Sequence, residues 1–267
     1  MKVVILAGGY GTRISEESHL RPKPMIEIGQ RPILWHIMKI YSSYGFNDFV
    51  ICLGYKGYFI KEYFAHYFLH ESDITFDFRN DNQNITHNHS AEPWKVTLVN
   101  TGIDTMTGGR VKRVQPYIGN EPFMLTYGDG VSNVNIKELV QHHKLSGRLA
   151  TVTSIQPDGR FGALDINDQS EVRGFQEKPR GDGSWINAGF FVLQPEVFFD
   201  YIEGDHTVFL KRVLLKILRS RVSYPHISTL VSGSLWTHYA IKTIWRFYGQ
   251  AKKAPWKVWD DNLVKTL

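Results

Sequence analysis

Three stretches of this chain carry residue types suited to handling phosphate. The first is Leu6-Ala7-Gly8-Gly9-Tyr10-Gly11-Thr12-Arg13, which directly follows the apolar run Val3–Leu6. Glycines after a buried strand let backbone N–H groups approach phosphate oxygens, and the fork of donors on Arg13 suits a polyphosphate. It is not a dinucleotide fingerprint: counted from Gly9 and Gly11, the sixth position is Ile14 rather than glycine. The Gly-Lys-Ser/Thr of a Walker loop is also absent. A tight strand-to-helix turn is the plain alternative. The second stretch is Pro22-Lys23-Pro24, where two prolines limit the backbone around one ammonium group, either as a fixed charge for a phosphate or as a surface turn. The third is Gly128-Asp129-Gly130, which ends another apolar run, Pro122–Tyr127. A carboxylate there suits a hard divalent cation, and the same tripeptide also suits a simple turn.

The elements that must hold these residues alternate in type. Apolar runs at 3–6, 49–53, 122–127, 150–155 and 189–193 read as strands. Apolar residues at helical spacing mark 32–41, with Gly45 near the cap position, and 58–69. Asn135 and Glu138 form a capping box for a helix over 136–145 that Gly147 ends. Strands alternating with helices predict an α/β fold: a Rossmann-like, mostly parallel central sheet flanked by helices. Residues 70–120 are polar and read as a small strand-and-loop insertion. The division expected is a main domain over 1–225 and a C-terminal segment over 226–267.

Composition narrows the function classes. The chain has 267 residues, 42% apolar and 21% charged, the balance of a globular protein with a sizeable core. It has no apolar run of membrane-spanning length, and its first residues read as a strand rather than a leader, so a cytoplasmic protein is expected. The lone Cys52 excludes an intrachain disulfide and a cysteine zinc site. It lies in an apolar run and reads as inert core. His87-Asn88-His89 and His142-His143 lack carboxylates at ligand spacing and read as non-metal histidines. Charge is uneven: from His206 onward there are eleven Lys/Arg against Asp260 and Asp261. A basic tail can meet nucleic acid or an anionic membrane, or can simply be solvated surface. No aromatic stripe is interleaved with the basic residues, as single-strand binding would need.

Taken together the motifs are far more specific. Leu6–Arg13, Lys23-Pro24-Met25, Gly128-Asp129, Glu177-Lys178-Pro179 and Asn187-Ala188-Gly189 resemble the sugar-1-phosphate nucleotidylyltransferases. Further segments are similar to the CTP-using members of that family: Ile33–Met38, Gly54–Tyr58, Thr105–Arg110, Arg160–Asp165 and Lys253–Lys257. The resemblance runs over 1–207 and returns at 251–259. It implies CMP transfer from CTP to α-D-glucose 1-phosphate with Mg²⁺, giving CDP-glucose and pyrophosphate. That is the first step toward CDP-deoxysugars of bacterial surface polysaccharide (O antigen). It implies that Leu6, Ala7, Gly8, Gly9, Gly11, Thr12 and Gly128 bind nucleotide, that Arg13 lies on the β- and γ-phosphates, and that Lys23 neutralises the α-phosphate. Asp129 would ligate Mg²⁺. Asp104, Gly109 and Arg110 would read the base, and Gly162, Glu177, Lys178 and Asn187 would take the sugar phosphate. Relatives look like hexamers, so a homo-oligomer is expected, with Trp256 and Trp259 exposed on the tail.

The resemblance breaks after Val208. The family has an acidic Glu-Pro-Leu segment where Phe209–Leu214 stands, and a Trp-Gln-x-Met-Asp-Thr-Leu-Arg-Asp-Lys stretch whose Asp is a second Mg²⁺ ligand. This chain reads Trp236-Thr237-His238-Tyr239-Ala240-Ile241-Lys242 there. Codons for Met-Asp-Thr-Leu-Arg-Asp-Lys (ATG GAC ACA CTA CGC GAT AAA), read one base later and completed by a following A, become TGG ACA CAC TAC GCG ATA AAA. That string encodes Trp236–Lys242. Parts of 209–250 therefore read as a shifted frame, which accounts for the basic excess without a binding partner. No aspartate of this segment is left to assist Asp129, and Lys211, Arg212 and Lys216 should make it pack badly. Two alternatives stay open: a UTP- or dTTP-using enzyme of the same fold, and a weakly active nucleotide-sugar binding protein.

Overall fold

The computed structural model describes residues 1–10, 21–155, 163–166, 172–176, 186–214, 217, 227–229, 235–237 and 256–258. Seven strands form the main sheet: β1 (Val3–Leu6), β2 (Asp48–Leu53), β3 (Lys95–Asn100), β4 (Phe123–Tyr127), β5 (Ala150–Ile155), β6 (Ile186–Leu193) and β7 (Ile227–Thr229). Their order is β7-β5-β6-β4-β1-β2-β3. β1 runs parallel to β2 and β4, β2 to β3, and β5 to β7. β6 runs antiparallel to both β5 and β4.

The apolar runs are continuous because both faces of the sheet are covered. Val3 and Ile5 enter one buried cluster and Val4 the other, the two-residue alternation of a strand. Helix α1 (Ile33–Ser42) fills the first cluster with Ile33, Leu34, Ile37, Met38, Ile40 and Tyr41. Helix α2 (Gly57–His70) buries only Gly57 and Ile60 and leaves much of its aromatic surface outward. Helices α3 (Thr107–Arg113), α4 (Gln115–Ile118), α5 (Ile136–Ser146) and α6 (Val197–Asp200) complete the layers. Asn135 caps the helix as expected, with Glu138 N–H donating to Asn135 Oδ1 at 3.2 Å, while the reciprocal bond runs between side chains, Asn135 Nδ2 donating to Glu138 Oε1 at 2.8 Å. Gly147 follows in the left-handed region at φ 59°.

Three findings differ from the sequence expectation. The insertion is narrower than 70–120: only the hairpin Ser72–Asp77/Gln83–His89 stands apart. Lys95–Asn100 is the sheet's edge strand, and Thr107–Arg113 is a helix. An edge strand buries little, so its run is not apolar enough to stand out. Next, Trp256 is buried in the first cluster, its ring edge-on to His36 at 6.3 Å, so that tryptophan is core rather than exposed. Trp259 lies outside the described residues. Last, Phe209, Val213 and Ile217, spaced four apart, are buried in the second cluster, and Arg212 points to solvent. Apolar residues at helical spacing are enough to fill a core, whatever their origin. The side chains of Lys211 and Lys216 lie outside the description.

Two buried imidazoles are held by local bonds. His143 sits between Thr151 Oγ1 at 2.9 Å and Gln194 Nε2 at 3.0 Å. His36 Nε2 meets the Ile28 carbonyl at 2.9 Å. Burial lowers both imidazoles to about 4. Cys52 is fully buried, which pushes its thiol up to about 12, consistent with an inert core thiol. Among the described residues no group of three or more His, Cys, Asp or Glu could hold a metal ion.

Candidate active site

The chain leaves β1, builds β2 and β3 on one side, and returns to place β4 on the other side of β1. This reversal makes a switch point, where the loops after two adjacent parallel strands part and open a crevice. Residues 7–10 leave from β1 and Gly128-Asp129 from β4. Between them lies a cleft of about 620 Å³.

One wall is the glycine loop, Ala7, Gly8, Gly9 and Tyr10, following Leu6. Its backbone is pinned by Ala7 N–H to Cys52 O at 3.1 Å and by Tyr55 N–H to Gly8 O at 3.2 Å. Gly8 is needed for close approach: a Cβ there would stand 2.7 Å from the Arg110 guanidinium carbon and 2.9 Å from Gly54 N. The floor holds Lys23, in a 3₁₀ turn (Lys23–Met25) after Pro22 at φ −65°. Pro24 packs beside Gly128, whose close neighbours also include Leu6 O. The prolines thus lock the lysine's turn onto the β4 loop. Asp129 is half-buried on the same floor, and it forms no ion pair among the described residues.

The opposite wall is the 103–107 loop, where Ile103 and Met106 leave roughly half their surface exposed beside Asp104. Arg110 reaches this wall, but its donors are already engaged. Nη1 donates to Leu53 O (3.1 Å), Thr101 Oγ1 (2.8 Å) and Gly102 O (2.7 Å), and Nη2 donates to Ile103 O (3.0 Å). A buried guanidinium with that many acceptors stays charged and rigidly held even though burial lowers its pKa. Its visible work is to hold the loop backbone in shape. Gly109 does not line the cleft: it is buried where a Cβ would meet Asp205 Cα at 2.5 Å. The loop is braced from behind by Met106 N–H to Asp205 O (2.8 Å), Phe209 N–H to Thr107 Oγ1 (2.9 Å) and the Arg113–Asp205 ion pair (2.5 Å).

Asn187 is the second residue of β6, and its Oδ1 accepts from Gly189 N–H at 2.9 Å. Gly189 has φ 86°, and a Cβ there would lie 2.6 Å from the Tyr127 ring, so the Asn-Ala-Gly motif seats that ring. Tyr127 lines the cleft, and burial pushes its phenol up to about 12, with the Asn187 side chain opposing and Asp129 adding to the rise.

The structure therefore brings Leu6, Ala7, Gly8, Gly9, Lys23, Asp104, Arg110, Gly128 and Asp129 to one cleft, with Asn187 one residue away behind Tyr127. Gly11, Thr12, Arg13, Gly162, Glu177 and Lys178 lie outside the described residues. Tyr10, Tyr127, Ile103 and Met106 are wall residues that the sequence reading passed over. Their types carry no distinctive signal, although Tyr10 sits inside the glycine motif.

A cleft of about 620 Å³ with a glycine loop, a held lysine and two carboxylates, Asp104 and Asp129, suits transfer on a phosphate. A family model described as nucleotidyl transferase matches residues 2–237, and the chain belongs to that family. It is 50% identical over 264 residues to the glucose-1-phosphate cytidylyltransferase of Salmonella typhimurium, covering 97% of this chain and 100% of that one. The Salmonella typhi enzyme of the same name matches equally. The fold agrees: the crystal structure of HddC from Yersinia pseudotuberculosis superposes with a TM-score of 0.62 at 23% identity, covering 91% of this chain and 99% of that chain. No described helix is long and apolar enough to cross a membrane.

Proposed function

We propose that this chain transfers CMP from CTP to α-D-glucose 1-phosphate, releasing pyrophosphate and forming CDP-glucose. The observation that carries this reading is the 50% identity over nearly the full length of cytidylyltransferases, with their motif residues gathered at one cleft. In the reaction a phosphate oxygen of the sugar phosphate attacks the α-phosphorus of CTP in line. Both reactants are anions, so positioning and positive charge do most of the catalytic work. The Gly8-Gly9 backbone would cradle the triphosphate, together with Gly11, Thr12 and Arg13. Lys23, fixed by its prolines, would neutralise the α-phosphate as charge builds there. Arg110 would act at one remove, holding the Thr101 hydroxyl and the Gly102 and Ile103 carbonyls that shape the base wall. Asn187, with Gly162, Glu177 and Lys178, would take the sugar phosphate.

Members of this family generally work with a divalent metal ion. The donor set present, a hard carboxylate at Asp129 facing the cleft, fits Mg²⁺, which accepts few carboxylates and completes its shell with water and phosphate oxygens. When bound it would supply charge neutralisation and align the phosphates. Asp129 would hold it alone among the described residues.

The same reading places the enzyme in the cytoplasm, as the first step toward CDP-deoxysugars for O antigen, and acting as a homo-oligomer. Exposed Phe76, Phe78 and Ile85 on the protruding hairpin support self-association. The test is pyrophosphate release from glucose 1-phosphate with each of CTP, UTP, dTTP, ATP and GTP. CTP should give the highest kcat/KM by a wide margin. Equal values for CTP and UTP would replace the reading with that of a broader uridylyl- or thymidylyltransferase. CTP binding without pyrophosphate release would replace it with a binding protein, a reading favoured by the missing acidic residue after Val208.

A further inference from the structure

One contact crosses the mouth of the cleft. The Tyr10 hydroxyl donates to Asp104 Oδ1 at 2.6 Å, joining the glycine loop to the opposite wall across 94 residues of sequence. Tyr10 is held for this role. Its ring lies 5.5 Å from that of Tyr55, whose N–H is tied to Gly8 O. The bond to Asp104 raises the Tyr10 pKa, so the phenol remains a donor through neutral pH. Asp104 is held from its own side, because Arg110 fixes the carbonyls of Gly102 and Ile103 immediately before it.

With Oδ1 taken by Tyr10, the second carboxylate oxygen of Asp104 has no partner among the described hydrogen bonds and ion pairs. Asp104 lines the cleft together with the half-exposed apolar side chains of Ile103 and Met106, a rim fit to hold the flat face of a base. A carboxylate can only accept. Opposite it, an exocyclic amino group gains a charge-assisted hydrogen bond, whereas an exocyclic oxygen meets like polarity. We propose that Tyr10 is a positioning residue for base selection: by clamping one oxygen of Asp104 it aims the other at the cleft, so that nucleotides with an amino group on the pyrimidine edge are preferred over those with an oxo group. This rests on the CTP reading above and adds to it the residue that orients the selecting carboxylate.

The test is the ratio of dissociation constants, UTP over CTP, measured by calorimetry with Mg²⁺ in the full chain, so that turnover is not required. Tyr10→Phe keeps the ring against Tyr55 and removes only the hydroxyl. It should lower the ratio about tenfold, the scale of one charged hydrogen bond at a partly solvated site. Asp104→Asn, which can donate to an oxo group, should lower it at least as far, and the double variant should go no further than Asp104→Asn alone. A Tyr10 that merely props the loop would weaken both nucleotides equally and leave the ratio unchanged, which overturns the inference. Effects that multiply in the double variant also overturn it. Failure of the unmodified chain to bind CTP would remove the CTP reading and this inference with it. Tight CTP binding with an unchanged ratio in Tyr10→Phe would remove this inference alone.

Discussion

The cleft walls and the segment after Val208 make an instructive pair. In the walls, each chemical group comes with its own support: Lys23 between prolines, Gly8 against Arg110, the 101–107 loop bonded to its neighbours. After Val208 the chain keeps the support, and no acid stands between Asp205 and Asp260. Phe209, Val213 and Ile217 fill the core, and Ile227–Thr229 joins the sheet as β7. Leu235–Thr237 pairs antiparallel with Gly130–Ser132, so Thr237 stands opposite the residue that follows Asp129. The strand that lies beside Asp129 is present, and it carries no carboxylate. Packing and strand pairing depend on apolar periodicity and on a backbone common to all residues, so they tolerate replaced sequence. A metal ligand or phosphate contact depends on one functional group at one position, and tolerates nothing.

Four experiments press on this contrast, the largest effect first. Trp256 should be the clearest structural anchor of the tail: Trp256→Ala should cost about 3–5 kcal/mol in urea unfolding, as for a large buried ring. A cost within error of zero would mean that the tail is not part of the core. Lys23 tests the opposite region. Lys23→Ala should lower kcat about a hundredfold or more with a smaller change in the KM for CTP, because its charge acts on the transition state. Near-normal kcat would reduce Pro22-Lys23-Pro24 to a turn.

The third experiment uses pH. His36 and His143 are held to about 4 when folded and return to about 6.5 when unfolded. The unfolded chain therefore binds more protons, and their contribution is complete above the unfolded value and lost as pH falls toward 4. Each should cost about 2 kcal/mol on going from pH 7 to 5, read as a falling urea midpoint. His143→Gln should flatten that slope, and an unchanged slope would place the titration elsewhere. The fourth restores the missing chemistry. Replacing Trp236–Lys242 with Met-Asp-Thr-Leu-Arg-Asp-Lys should raise kcat at saturating Mg²⁺ by about tenfold, since a second carboxylate improves both metal affinity and alignment. Equal activity of the two chains would mean that Asp129 suffices, or that another acid reaches the metal.

Local chemistry in the sequence was enough for much of the molecule. Val3–Leu6 reads as a buried strand because every residue in it is apolar, and Asn135 with Glu138 announces a helix start because the bonds they make are only three residues long. Leu6–Arg13, Lys23 and Asp129 suit phosphate by type and spacing, although each alone also suits a turn, and it is their combination that resembles the nucleotidylyltransferases. Other features depended on what lies across space. Lys95–Asn100 becomes the edge of the sheet only because β2 offers it a partner, and its own residues are too polar to announce it. Arg110 looks like a free donor in sequence; folding surrounds it with four acceptors from residues 53–103 and turns it into a brace. Trp256 looks like an exposed tail residue until α1 provides a place to bury it. Tyr10 and Asp104, 94 residues apart, acquire a joint role only when the sheet sets the loops after β1 and β3 side by side. Hydrogen bonds and burial are short-ranged in space and indifferent to distance along the chain, so contacts of that kind are decided by the tertiary fold.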